Sequence, residues 1–377
     1  MSLLLIVLIF VAGCDDDDSS ADSAPAKILW INHVNSQWVK TISPENSGGF
    51  VTFCTSSWYN ISAELYRFSA DGDMIDSASI SDLAEDHSYA AFAANNGGMW
   101  VAFQHDGIVL QQYSADLDLV SSVVVADVDW RVQAMAGTSQ GLVIACQTKD
   151  TTVLKRAAIV STDLSGGLIS ANVLEYSLEL PDTADVRDAT FDIVIASPGI
   201  TYLSGARYHY HTEASIAFSK PFLVKASFDG SVAWSWVGGA DDEMVHRCVS
   251  LSSGGILIAY RTSDSDSLAF AQFSPEGLMS PRHDLTSVFE RASNIAFVKA
   301  SRDRLYCIYG FGNGWGDGAT VYVHSLTGDG TLVSSLSLPN GIAVTDAALL
   351  SDGGIAIGGW YPTDVFPFPA SLGKLRL

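Results

Sequence analysis

Positive charge is what this sequence has least of. Lys and Arg together number 20 against 42 Asp and Glu, leaving a net charge of −22. A nucleic-acid surface needs clustered Lys and Arg, and a field of this sign repels phosphate. Nucleic acid is therefore excluded as a partner. Long apolar runs are scarce as well. The longest lies at the extreme N-terminus and is too short to span a bilayer comfortably, which excludes a polytopic membrane protein. Neither His-Glu-x-x-His nor a phosphate-cradling Gly-rich loop occurs, and the sequence reads as lacking a serine-nucleophile elbow. No Cys-x-x-Cys pair supports zinc, no cofactor motif stands out, and no segment carries a long helical period. General disorder is excluded in turn, because 48% of the residues are hydrophobic and only 16% charged, enough to bury a core.

The N-terminus reads as an address. Leu3 to Val11 are all apolar, and Val11-Ala12-Gly13-Cys14 follows. A short apolar stretch closed by small residues reads as a secretory signal. The Ala-Gly-Cys ending resembles the lipobox of bacterial lipoproteins. That resemblance implies cleavage before Cys14, lipid on its thiol and acylation of the new amine, with the protein held at the cell-envelope membrane, inner or outer. The run Asp15-Asp16-Asp17-Asp18-Ser19-Ser20-Ala21-Asp22-Ser23-Ala24-Pro25-Ala26 cannot bury anything and reads as a flexible acidic spacer. The expected organisation is thus a signal peptide over 1–13, an anchored linker over 14–26 and one folded domain over 27–377.

That domain reads as one unit repeated. A small turn followed by an apolar strand recurs at Gly48-Gly49, Gly97-Gly98, Gln140-Gly141, Pro198-Gly199, Gly254-Gly255, Asp303-Arg304 and Gly353-Gly354. A second turn falls about midway in each unit, at Asp71-Gly72, Asp116-Leu117, Gly166-Gly167, Asp229-Gly230, Glu276-Gly277, Asp329-Gly330 and Leu372-Gly373. Asp-Gly and Gly-Gly supply the positive φ of tight hairpins. Two turns per unit imply four antiparallel strands every ~40–50 residues, the signature of a β-propeller blade. The clearest unit, Gly230 to Gly255, resembles a surface-protein propeller repeat: a turn, a strand with Trp234, the Gly238-Gly239-Ala240-Asp241 loop and a second Gly-Gly turn. The expectation is an all-β, seven-bladed propeller. The extra strand Lys27–Asn32, similar to Val232–Trp236, should complete the seventh blade and close the ring.

With strands labelled A to D from the inside out, Cys54, Cys146 and Cys307 fall on B strands and Cys248 on an A strand, in blades that mostly do not adjoin. Free buried thiols are expected there, not bridges. The B–C and D–A loops share one face, and they carry the varied chemistry. Trp58 and Tyr59, His105 and Asp106, Tyr208 to His211, Asp264 and Asp266, Trp315 and Asp317, and Trp360 lie on B–C loops; Asp241, Asp242 and Glu243 lie on a D–A loop. Rings beside carboxylates can stack on a sugar or clamp a peptide, although propeller aromatics also commonly pack between blades. His209-x-His211-x-Glu213 puts three ligating groups on one side of a strand. A solvated hairpin tip is the favoured reading of it, and no bound metal or cofactor is expected. His246, on an A strand, would line the channel or else be a satisfied core histidine, and the second reading is favoured. The functional expectation is a monomeric, lipid-anchored envelope protein that binds a protein or glycan on this face. The alternative is a polysaccharide hydrolase or lyase using acids such as Asp241, Asp264 or Asp317.

Overall fold

The computed structural model describes residues 26–34, 38–55, 63–80, 89–94, 97–138, 140–148, 154–175, 185–197, 199–212, 215–238, 244–261, 268–281, 283–285, 295–312, 319–360 and 370–377. These form seven antiparallel blades arranged as a β-propeller, with no helices among the described residues.

Strand β1 (Lys27–Val34) comes first and belongs to the last blade. Blade one is β2 to β5 (Trp38–Pro44, Phe50–Thr55, Ala63–Phe68, Met74–Ile80). Blade two is β6 to β9 (Tyr89–Ala93, Met99–Gln104, Ile108–Tyr113, Leu119–Ala126). Blade three is β10 (Trp130–Thr138), β11 (Gly141–Thr148), β13 (Ala157–Thr162) and β14 (Leu168–Val173). Its B–C loop contributes the short β12 (Leu154–Lys155), which pairs in parallel with the first strand of blade four. Blade four is β15 to β18 (Asp185–Ser197, Ile200–Thr212, Ser215–Ser227, Val232–Val237). Blade five is β19 to β22 (Met244–Ser250, Ile256–Arg261, Leu268–Phe273, His283–Leu285). Blade six is β23 to β26 (Ile295–Ser301, Arg304–Gly312, Ala319–Thr327, Leu332–Gly341). Blade seven is β27 to β29 (Ala343–Leu349, Ile355–Trp360, Ala370–Arg376), with β1 as its outermost strand.

The second and third strands of each blade are its most buried part. In β3 and β11 every residue is buried, because both faces of a middle strand meet a neighbouring blade. Outer strands such as β5 and β9 are mostly exposed. All four described cysteines are free and buried, and burial raises each thiol, Cys54 to about 12, so they behave as small core hydrophobes.

The turns repeat one geometry. In the loop from Ser69 to Asp73, Gly72 N–H donates to Ser69 O at 3.1 Å and Ser69 N–H donates to Asp73 O at 2.9 Å. The same pair of bonds recurs at Ser114–Asp118, Asp163–Gly167, Ser227–Ser231, Ser274–Leu278 and Thr327–Thr331. Glycine holds the left-handed position in most of them. Blade two instead places Leu117 there, at φ 65°, with its side chain buried against the core between blades one and two.

One turn assignment is corrected. Leu372 and Gly373 form no turn; they lie inside β29, paired with Asn32 and Ile31 of β1 and with Gly358 and Ile357 of β28. Gly373 reflects close packing: a Cβ there would stand 3.0 Å from Trp30 O. The closure holds nonetheless, since β29 is the third strand of blade seven and β1 supplies the fourth.

The closing strand is fastened to blade one as β18 is fastened to blade five. Trp30 stacks on Phe50 at 6.0 Å and covers Gly72, where a Cβ would meet the indole at 2.5 Å. Trp234 stacks on Phe273 at 6.0 Å and covers Gly277. A lysine of the adjoining third strand donates to the same turn in each case: Lys374 Nζ to Ala70 O at 3.0 Å and Lys225 Nζ to Pro275 O at 2.6 Å. Trp30→Ala should therefore lower stability by about 3 kcal/mol. Gly72→Ala should cost less, and the double variant should cost less than the two added, because both lesions strike one contact. Urea midpoints of the three variants check this; additive losses would mean that Trp30 and Gly72 do not share it.

Candidate functional site

The first strands of all seven blades line a central channel of about 670 Å³. Its wall is shaped by β-bulges. An extra residue interrupts the pairing of the first and second strands in six blades: Lys40 in β2, Gln133 in β10, Phe191 in β15, His246 in β19, Thr345 in β27 and, next to the turn, Ala300 in β23. A bulge bends its strand and re-aims side chains that strict alternation would send elsewhere.

Several re-aimed groups bond to the next blade around the ring. Asp346 Oδ2 accepts Ile42 N–H at 2.8 Å, and Thr345 Oγ1 donates to Val39 O at 2.6 Å, joining blade seven to blade one. Thr41 Oγ1 donates to Ala91 O of blade two at 3.1 Å. Gln133 Oε1 accepts Thr190 N–H of blade four at 2.8 Å. Asp192 Oδ2 accepts Cys248 N–H of blade five at 2.8 Å. Arg247 Nε donates to Ile295 O of blade six at 2.9 Å. The same guanidinium crosses to blade seven, where its Nη2 donates to Thr345 O at 2.9 Å, and its Nη1 stands 3.7 Å from Asp192 Oδ1.

Burial raises the Asp192 carboxyl, and it raises Asp346 to about 6; Arg247 pulls both back down without cancelling that effect. Lys40 is lowered, first by enclosure and then by Arg247. His246 is not a core histidine. It lines the channel, half-buried, because the bulge turns it inward. Neither Lys40, Arg247, Asp192 nor Asp346 was anticipated as a site residue. The only signal was their recurrence at one place in the repeat: Val39-Lys40-Thr41, Val132-Gln133-Ala134, Val245-His246-Arg247 and Val344-Thr345-Asp346.

The anticipated residues lie on the loop face, and several fall outside the described residues: Trp58, Tyr59, Asp241, Asp242, Glu243, Asp264, Asp266, Trp315 and Asp317, together with Glu213 and the anchor position Cys14. Tyr208 to His211 lie on the strand β16. Strands β15, β16 and β17 each run 13 residues, and β3 of blade one runs 6, so the excess forms an arm about 20 Å long on the loop face. Arg207 and Asp188 pair within it, fully buried, at 2.8 Å from Nε to Oδ1. His209 is buried there and stacks on Phe218 at 4.3 Å, while Tyr208 is half-buried. Tyr210 and His211 are described as backbone only. No group of three potential metal ligands occurs among the described residues. His105 and Asp106 sit in an exposed three-residue turn, with Asp106 at φ 49°, and Trp360 ends β28 half-buried.

The string Gly137-Thr138-Ser139-Gln140-Gly141 has the spelling of a nucleophile elbow, contrary to the sequence reading. It joins the antiparallel strands β10 and β11, whereas an elbow joins a strand to a helix. Ser139 itself lies outside the described residues.

No protein-family model and no curated protein matches the chain. Solved structures do. The crystal structure of BBS1N in complex with ARL6DN is similar at a TM-score of 0.53 with 11% identity, covering 91% of this chain and 98% of that one. A protein of unknown function from Dyadobacter fermentans is similar at 0.51 with 7% identity, covering 94% and 98%. At these identities the likeness is one of fold alone.

The raised carboxyls predict a pH dependence. A folded-state pKa above the unfolded value means that the folded chain holds the extra proton between about pH 4 and 6. Stability then falls as pH rises through that window and is flat above it. Asp346→Asn keeps an acceptor for Ile42 N–H and should flatten this slope by about 1–3 kcal/mol, leaving the part due to Asp192. Urea titrations of both proteins at pH 4.5, 5.5 and 7 check it; parallel profiles would refute the assignment.

Proposed function

We propose that this chain is a lipid-anchored cell-envelope protein that holds a protein or glycan partner on the face carrying its B–C and D–A loops. The observation that carries the reading is the unequal build of the two faces. One face is made of near-identical tight turns. The other carries blade-specific segments, the β12 crossover and the arm of blade four. Binding residues concentrate on loops held by a rigid scaffold.

The course of β1 supports the same reading. Lys27 pairs with Arg376, and its neighbour Leu375 pairs with Ile355 at the start of β28, directly after a tight turn. The chain therefore enters the ring on the turn face. An anchor on Cys14, followed by the acidic spacer, would leave the loop face directed away from the membrane. The BBS1N likeness agrees with a binding role, since that propeller was solved in a complex.

Two measurements test the proposal. Cys14→Ser should move the protein from the detergent phase to the aqueous phase on cloud-point partition; an unchanged partition would remove the anchor. A photo-crosslinker at Tyr208, on the arm, should capture a partner in intact cells or mark binding on a glycan array, whereas one at Leu278, on the exposed outer rim near the turns, should not. Capture from Leu278 alone would overturn the choice of face.

A further inference from the structure

We propose that the central channel holds a small organic anion, its acidic group seated on Lys40 beside Arg247 and its body against the aromatic wall. This goes beyond the loop-face reading and does not depend on it.

Lys40 is the extra residue of the β2 bulge, and its side chain lines the channel. Protein surrounds it, yet the side chain is open along the channel. It forms no hydrogen bond or ion pair with a described residue. The charged and titratable groups on the channel wall are few. Arg247 and His246 come from β19, Asp192 from β15 and Asp346 from β27. Both carboxylates are committed to backbone: Asp346 to Ile42 N–H, and Asp192 to Ile193 N–H and Cys248 N–H. Arg247 spends two of its nitrogens on Ile295 O and Thr345 O. The charge acting on the Lys40 ammonium is thus a like one, and both Arg247 and the enclosure lower its pKa. In a chain of net charge −22, this is a cation without a counter-ion among the described residues. An anion there gains charge-assisted hydrogen bonds that the protein does not supply.

The remaining wall fits a compact polar molecule with a flat face. Trp38, Tyr89, Phe92 and Phe297 contribute rings, and Gln133 contributes a polar group. The volume of about 670 Å³ lies within the range of small-molecule sites. Rings with a few convergent polar groups suit an acidic monosaccharide, bearing either a carboxylate or a phosphate.

Calorimetric titration at low ionic strength with glucuronate, glucose 6-phosphate, inorganic phosphate and glucose tests this. Glucuronate or glucose 6-phosphate should bind at one site, the tighter of the two naming the acidic group, and glucose should not. Lys40→Met should weaken that binding about tenfold or more, and Lys40→Arg should retain part of it. Binding of inorganic phosphate as tight as either sugar acid would overturn the organic body of the ligand. No binding by any anion, or equal binding to Lys40→Met, would overturn the site. Should Lys40→Met not fold, dimethyl-lysine NMR of the wild-type chain decides: the Lys40 pKa should rise on adding the sugar acid, and an unmoved value refutes the proposal.

Discussion

Side-chain bonds between the first strands run mostly in one direction around this ring, with Lys299 Nζ to Ser250 O running back, and the rest of the architecture depends on them. A side chain on the first strand of one blade bonds to the backbone of the first strand of the next: Thr41 to Ala91, Gln133 to Thr190, Asp192 to Cys248, Arg247 to Ile295, and Asp346 to Ile42. Apolar packing between flat sheets is non-directional and would tolerate sliding. A hydrogen bond to a fixed amide does not, because a displaced donor is left buried and unpaired. At five of the seven junctions the inner bonds thus set how far a blade is rotated from the last. They also consume most of the polar capacity of the channel wall, which is why one unbonded lysine there is conspicuous.

The outer edge is fixed by different chemistry. Trp30 and Trp234 cover the turn glycines of the following blades, and Lys374 and Lys225 donate into the same turns. One of these two fastenings closes the ring between blade seven and blade one. There the covering strand, β1, comes from the opposite end of the sequence. Pairing of β1 with β29 fixes both ends of the ring at one stroke and removes two exposed edges, a standing hazard for strand addition. Its cost is contact order: closure joins residues as far as 349 positions apart, as in the register Lys27 to Arg376. A ring held this way should lose blades one and seven first when Trp30 is removed.

Much of this was legible in the sequence because tight turns constrain residue type. Positive φ selects glycine, so the repeat could be counted from Gly48, Gly72, Gly97, Gly166, Gly199, Gly230, Gly254, Gly277, Gly330 and Gly353. The same logic failed at Leu372-Gly373, where glycine answers to close packing and not to φ. Leu117 shows the converse, a left-handed residue without glycine, retained where its side chain is buried. The spacing around blade four is longer than elsewhere, with steps of 58 and 56 residues between turn markers, the length of an insertion. It did not reveal that the insertion lengthens strands instead of loops, or that His209 is buried against Phe218. The channel was the least legible part. Bulges break the alternation by which inward and outward positions are read, and Lys40, Asp192, Arg247 and Asp346 meet only through closure of the ring.

The net charge of −22 also acquires a geometry. Five of the acids stand in the N-terminal run from Asp15 to Asp22, and others cap turns, as Asp163 does by accepting from Ser165 and Gly167 N–H. The Ser165 hydroxyl first, and then those N–H groups, hold the Asp163 carboxyl below its usual range, and Asp229 and Asp329 are lowered in the same way by the hydroxyls of Ser227 and Thr327. They stay ionised at any ordinary pH, because they are structural acceptors on the turn face. The channel acids are the opposite case, raised by burial and balanced by Arg247. Acidity on the turn face therefore serves the fold and the solubility of the ring. The inner wall instead sets Arg247 and the unbonded Lys40 beside two carboxylates committed to backbone amides, and selectivity for charge can reside there without any contribution from the overall sign of the protein.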